Sequence, residues 1–316
     1  MFLSCGDSLF DLFSDAGDDV ASIALAGRVG GSALNAALGL ARLGHRSAYF
    51  SKISGDLFGQ RIRAFMEREA IDQRFLIATD RNTTLAVVSL GADGTPRYSF
   101  YIEGTADRSI SPDEVPTLPD EVTAIHIGGS YSTVTEPTAS ALARLVREEA
   151  SRRFISYDPN IRASVVPDLD VWRAKVAELA PHAAVVKASE EDLELLFPGR
   201  SIDSVLADWI GAGAAMAVVT RGGAGAVVRS AGGVEAAIPG RAVTVVDTVG
   251  AGDTFQAALL AWLQERGLLS RDALLSLDRG AVEDLVGFAV SAAAVTCSRR
   301  GADLPRRDDL GLPPLG

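Results

Sequence analysis

Two glycines and a carboxylate stand at the mouth of an apolar segment: Gly250, Ala251, Gly252 and Asp253 within "DTVGAGDTFQAALLAWL". Apolar residues follow at Phe255, Ala258, Leu259, Trp262 and Leu263, the i, i+3, i+4, i+7, i+8 spacing of one packed helix face. The helix therefore starts at or just before Asp253. Its first turn carries unsatisfied N–H groups and the positive end of the helix dipole. Glycines let the chain curl there so that successive N–H groups converge on an anion. A carboxylate inside such a nest would repel a bare phosphate. It has a use if it takes a proton from a hydroxyl that attacks a phosphoryl group held by the nest. The same spacing also describes a capping carboxylate beside a glycine turn, and spacing alone leaves both readings open.

The elements that must position this turn read as an α/β chain. From about residue 124 onward, apolar runs alternate with helical patterns. "AIHI" (Ala124–Ile127), "FISYD" (Phe154–Asp158), "AVVK" (Ala184–Lys187) and "MAVVT" (Met216–Thr220) are strands, the last closing the series. Helices are expected near 139–150, 171–179 and at "EEDLELLF". Such alternation predicts a buried, mostly parallel sheet with helices on its faces. The N-terminal third predicts strands at "SIALA" (Ser22–Ala26), "TLAVVSL" (Thr84–Leu90) and "RYSFYI" (Arg97–Ile102), the last two a hairpin through "GADGTP". These are expected to form a small β lid drawn from about 11–27 and 83–104, within one domain spanning 1–316. "GGSALNAALGLARLG" (Gly30–Gly44) is apolar nearly all round and predicts a buried helix. "GDLFGQRIRAFMERE" predicts an amphipathic one with Leu57, Ile62, Phe65 and Met66 inward.

With 316 residues, 47% of them hydrophobic, the chain can bury a large core. A net charge of -11 argues against nucleic acid and anionic membrane as partners, yet leaves room for a locally basic pocket. Cys5 and Cys297 have no neighbouring Cys or His at ligand spacing, and His45, His126 and His182 form no spaced cluster. The start "MFLSCGDSLFDLF" lacks a basic region and is interrupted by Asp7 and Asp11. A cytoplasmic location with no signal peptide and no membrane span is expected. Lysine occurs only at Lys52, Lys175 and Lys187, so each stands out among many arginines.

"DTVGAGDTF" closely resembles the second signature of the ribokinase (PfkB) family of carbohydrate kinases. Other motifs match in order: "VGGSALNAALGLARLG" with "GDLFG", "DPNIR" (Asp158–Arg162), "VTRGGAGA" (Val219–Ala226) and "CSRRGADLP" (Cys297–Pro305). The resemblance implies a three-layer ribokinase-like fold and an ATP-dependent kinase. Asp253 would be the general base, with the backbone N–H groups of Gly250, Ala251, Gly252 and Asp253 as the anion hole. It implies sugar contacts at Asp11, Gly31, Asn35 and Arg162, and nucleotide contacts at Thr220, Gly222 and Gly225. A carboxylate, an amide and a forked guanidinium suit hydroxyls and a phosphate. The family often has Asn-x-x-Glu after a central strand. Here Glu190 is kept and Lys187 replaces the Asn, a cation that could reach nucleotide phosphates. Mg2+ is implied with ATP, on the side of Glu190 and Asp247, and K+ is an option beside Asp247.

"VVKASEEDL" and "FYIEGTADR" look most like the fructokinase branch. Ile102 stands where 2-keto-3-deoxygluconate kinases often carry arginine, so D-fructose comes first, 2-keto-3-deoxygluconate second, then ribose or a nucleoside. Phosphorylation of a primary hydroxyl and a homodimer formed through the lid strands are expected. Two other classes were weighed. A Rossmann dinucleotide site is disfavoured because Gly27, Gly30 and Gly31 do not form G-x-G-x-x-G, and no P-loop signature exists. A non-catalytic sugar-binding protein is disfavoured by the intact Asp253.

Overall fold

The computed structural model describes residues 1–14, 20–90 and 96–315. In chain order its strands are β1 (Phe2–Cys5), β2 (Leu9–Ser14), β3 (Leu25–Gly30), β4 (Ser47–Ser54), β5 (Leu76–Thr79), β6 (Thr84–Leu90) and β7 (Pro96–Tyr101). Then come β8 (Ala124–Gly128), β9 (Phe154–Asp158), β10 (Val185–Ser189), β11 (Met216–Thr220), β12 (Ala226–Ser230) and β13 (Glu235–Ile238). The helices are α1 (Ser32–Arg42), α2 (Leu57–Arg68), α3 (Thr138–Glu149), α4 (Leu169–Leu179), α5 (Glu190–Leu196), α6 (Ile202–Ala212), α7 (Ala251–Glu265), α8 (Arg271–Leu275) and α9 (Arg279–Cys297).

The large sheet runs β13-β12-β11-β10-β9-β8-β1-β4-β5. It is parallel from β11 to β5; helices link most of these strands, and the passage from β5 to β8 goes through the small sheet. The series does not close at "MAVVT": β12 and β13 follow as an antiparallel hairpin at the edge. The buried faces carry two apolar layers. One, on the side of α3 to α6, joins Phe50, Ile125, Ile155 and Tyr157 to Trp172 of α4, and the other, on the opposite side, includes Phe255, Leu259 and Leu263 of α7 with Leu285 and Val286 of α9. That is the three-layer arrangement which buries a parallel sheet on both sides.

The small sheet runs β3-β2-β6-β7, with β2 parallel to β6 and the other pairs antiparallel. The expected strand "SIALA" starts too early; β3 is Leu25–Gly30, set by pairing with β2 from Ser14 back to Leu9. The hairpin of β6 and β7 forms, and the tip of its expected turn, 91–95, lies outside the described residues. In α2, Ile62 and Met66 are buried and Phe65 is half-buried, but Leu57 is 62% exposed. It is the first residue of the helix, where Asp56 caps the chain through the Gly59 N–H and the side chain projects past the core.

Helix α1 fulfils its apolar pattern: residues 32–40 are all buried. It crosses α7 closely. A β-carbon on Gly39 would lie 2.6 Å from that of Ala257, so only glycine permits this approach. The crossing sets the N-terminal turn of α1 against that of α7. Among the described residues one helix, α9, is long and apolar enough to span a membrane. Its Val282, Leu285, Val286, Ala289 and Ala292 are buried in the core beneath α7.

Candidate active site

The α1–α7 crossing bears on the capping reading of Asp253. The helix begins at Ala251 with Gly250 as its cap residue, in the left-handed region at φ 79° and with no side-chain cap. Asp253 therefore does not cap α7. Its carboxylate reaches across to α1, where Ser32 Oγ donates to Oδ1 at 2.7 Å and Asn35 Nδ2 donates to Oδ2 at 2.8 Å. Burial raises its pKa, while Asn35, Ser32 and then Lys187 pull it part of the way back. The result is an oriented carboxylate with more proton affinity than an exposed one, as a general base needs.

The turn behind it presents donors. The N–H of Ala251 is used within the turn, on Thr248 O at 3.2 Å, and that of Thr254 closes the first helical bond on Gly250 O at 2.8 Å. The N–H groups of Gly250, Gly252 and Asp253 have no acceptor among the described residues. Three of the four expected donors are thus open, and Ala251 shapes the turn. Asp247 fastens it: Oδ1 accepts from Val249 N at 3.1 Å and Oδ2 from Gly301 N at 2.8 Å. The closing segment seals the back, since a β-carbon on Gly250 would stand 2.9 Å from that of Ala302.

Lys187 is neither at the surface nor turned to the glycine loop after β11. It is 4% exposed, and its ammonium donates to Asp158 Oδ2 at 2.5 Å. Burial opposes its charge, but Asp158, with Asp253 and Asp192 behind it, outweighs that and holds its pKa above the ordinary lysine value. The ammonium lies 3.1 Å from where a Gly252 β-carbon would stand, directly against the anion turn.

These groups share one cavity of about 450 Å³. Asp11, Gly31, Asn35 and Arg162, the four expected sugar contacts, line it together with Lys187, Gly250, Gly252 and Asp253. Asp11 comes from the small sheet, and burial pushes its carboxyl up to about 6 against the pull of Arg162. Sequence reasoning missed Asp7, Ser32, Tyr131 and the partnership of Asp158. Asp7 lies two residues past the end of β1, and burial and then the charge of Asp107 push it up to about 7. Asp107 is itself fully enclosed, with Thr84 Oγ1 donating at 2.6 Å and Tyr131 Oη at 2.7 Å. A carboxylate just after an apolar first strand was the available signal for Asp7.

Thr220, Gly222 and Gly225 stand apart from this cavity, at the hairpin turn from β11 to β12. Thr220 Oγ1 donates to Ala188 O at 3.4 Å, and Gly225 packs against the Ile238 carbonyl, where a β-carbon would come within 2.0 Å. Glu190, at the start of α5, accepts from Arg221 Nε at 3.2 Å. Among the described residues no three His, Cys, Asp or Glu side chains gather as a metal-binding group. A divalent ion here would be held mainly by nucleotide phosphates and water, which suits the reluctance of Mg2+ to shed its waters.

Residues 6–309 match the model of the pfkB family carbohydrate kinases. The chain is 35% identical over 284 residues to a fructokinase of Rhizobium leguminosarum bv. trifolii, covering 90% of this chain and 86% of that protein. It is 32% identical over 260 residues to a fructokinase of Vibrio alginolyticus, covering 82% of each. The fructokinase of Vibrio cholerae O395, solved in its fructose-, ADP- and calcium-bound form, superposes with a TM-score of 0.83 at 26% identity, covering 98% of this chain and 97% of that one. The fold is the ribokinase-like α/β fold of these sugar kinases, and the protein is a phosphotransferase. With its anion turn, its oriented Asp253 and its collinear motifs, the chain belongs to the pfkB family of carbohydrate kinases.

Proposed function

We propose that this protein is an ATP-dependent fructokinase that phosphorylates a primary hydroxyl of D-fructose. The observation that carries the chemistry is the buried carboxylate of Asp253, held by Ser32 and Asn35 beside the free N–H groups of Gly252 and Asp253. The sugar identity is supported by relatives called fructokinase and by a similar structure that holds fructose and ADP. Ile102 is buried outside the sugar cavity, so no cation enters the cavity from that position.

In this reading Asp11, Gly31 and Asn35 hold the sugar hydroxyls, and Arg162 at the rim steadies the transferred phosphate. Asp253 takes the proton of the primary hydroxyl as its oxygen bonds to the γ-phosphorus. The bond from that phosphorus to the β–γ bridging oxygen breaks, and ADP leaves. The donors at Gly252 and Asp253, with the Lys187 ammonium behind them, stabilise charge on the phosphoryl group in flight. Lys187 thus serves the transferring group from the sugar side of the turn. Nucleotide would lie toward Thr220, Gly222 and Gly225, where Glu190 would help hold its metal through water. Mg2+, when bound, neutralises charge on the β- and γ-phosphates. The Asp247 loop is the place we assign to K+.

The small sheet is read as a lid that excludes water, within one domain spanning the chain. Its exposed Leu25, Tyr98 and Tyr101 favour a homodimer formed through it, and the enzyme works in the cytoplasm with ATP. Phosphorus NMR of the product from MgATP and fructose tests the reaction. A sugar monoester on a primary carbon is expected, and no ester would overturn the reading.

A further inference from the structure

A second cleft, of about 600 Å³, opens between edge strand β3, helix α2 and the closing segment at 300–303. Arg28 from β3, Arg42 from α1, Arg61 and Arg68 from α2, and Arg300 line it. On a chain of net charge -11 this is a local reversal of sign. Arg42 is committed to Glu69 at 3.0 Å and Asp303 at 2.9 Å. Arg68 meets Glu69 only at 3.8 Å and leans over the Phe65 ring. Arg28, Arg61 and Arg300 are exposed and have no carboxylate within ion-pair distance among the described residues. Arg28 is the register partner of Asp11, so both side chains leave the same face of the sheet. They do not pair; the Arg28 side chain runs instead toward Gly301.

Three features narrow the ligand. Guanidinium forks from separate elements match phosphate oxygens. Phe10, Phe13 and Phe65 add apolar surface, which suits an organic body over a bare ion. The volume is that of a small-molecule site, and the chain's net charge of -11 disfavours a nucleic-acid strand. Without an anion, the cations of β3, α2 and the closing segment repel one another. A multiply charged anion would draw them together. Asp11, Phe13 and Val249 line both this cleft and the sugar cavity, so movement of β3 reaches bound sugar.

We propose that this cleft binds a small organic bisphosphate and that its occupancy draws β3 toward α2, favouring bound sugar. The second half rests on the sugar-kinase reading; the first does not. The test uses fructose 1,6-bisphosphate as probe, titrated calorimetrically into the nucleotide-free protein and into Arg61→Glu/Arg68→Ala. Both substituted residues are exposed and outside the catalytic cavity. Binding to the wild type, weakened at least tenfold in the variant, retained under saturating ADP and tightened severalfold by saturating fructose, is expected. Fructose KM should then fall severalfold with the probe in the wild type only, at unchanged KM for ATP. No binding, equal binding in the variant, or displacement by ADP or fructose would overturn the site. Loss of binding in the variant with no effect on fructose KM would overturn the coupling. The titration needs no turnover, so it decides the site even if fructose proves not to be the substrate.

Discussion

On the proposed reading, the wall around Asp253 and the turn around Gly222 serve the same reaction, but they are built differently. At the wall, α1 and α7 meet at a crossing that only Gly39 allows, Ser32 and Asn35 hold the Asp253 carboxylate across it, and Lys187 is paired with Asp158 beside it. At the turn, Gly222 and Gly223 have open space around them, and the Thr220 hydroxyl has one long bond. The first region is organised before substrate arrives; the second is left for the nucleotide to complete. Groups that act on charge in the transition state gain from being fixed in advance, whereas a nucleotide that must leave as ADP gains from looser contacts.

The contrast can be broken most severely at Asp253. Asp253→Asn should lower kcat by roughly 10²–10⁴-fold, the usual worth of a general base, with fructose affinity by calorimetry nearly unchanged. Lys187→Met should strand Asp158 in the interior. A loss of about 3–5 kcal/mol in denaturant unfolding is expected. Adding Asp158→Asn should restore stability but not turnover, which separates the role of the cation in folding from its role at the anion turn.

Asn35→Ala removes a hydrogen bond to a charged group, worth about 1.5–3 kcal/mol. Because that bond favours the ionised carboxylate, the Asp253 pKa should rise. Turnover falls as pH drops through that pKa, so the acid limb of the kcat profile should move to higher pH. An unmoved limb would separate Asn35 from the base. A pH-dependent effect on stability is expected at Asp7, whose folded pKa of about 7 lies above its unfolded value of about 3.9. The folded form keeps this proton longer. The group's contribution to stability is therefore full below about pH 4 and is lost as pH rises to about 7. Asp7→Asn should flatten the fall in melting temperature over that range.

Much of the wall was legible. The i, i+4 apolar period after Asp253 and the unbroken apolar face of α1 specify two buried helices, and the glycines before Asp253 specify a turn rather than a longer helix. That the helices touch, and that Asn35 lies on Asp253 across 218 residues, is tertiary and has no local signal. The same holds for Lys187: its type marked it, but only the fold could place Asp158 opposite. Strand β3 was misplaced because "AGRVG" has little intrinsic strand preference and is recruited by β2. Leu57 was misassigned because apolar spacing cannot tell the first turn of a helix from its middle.

The central claim is that Asp253 and its anion turn pass the γ-phosphoryl group of ATP to fructose. Initial rates of ADP release with MgATP, compared across fructose, 2-keto-3-deoxygluconate, ribose, tagatose and adenosine, test it most directly. One dominant rate on fructose is predicted. A dominant rate on another acceptor, or silence on all five by protein that still binds ATP, would contradict it.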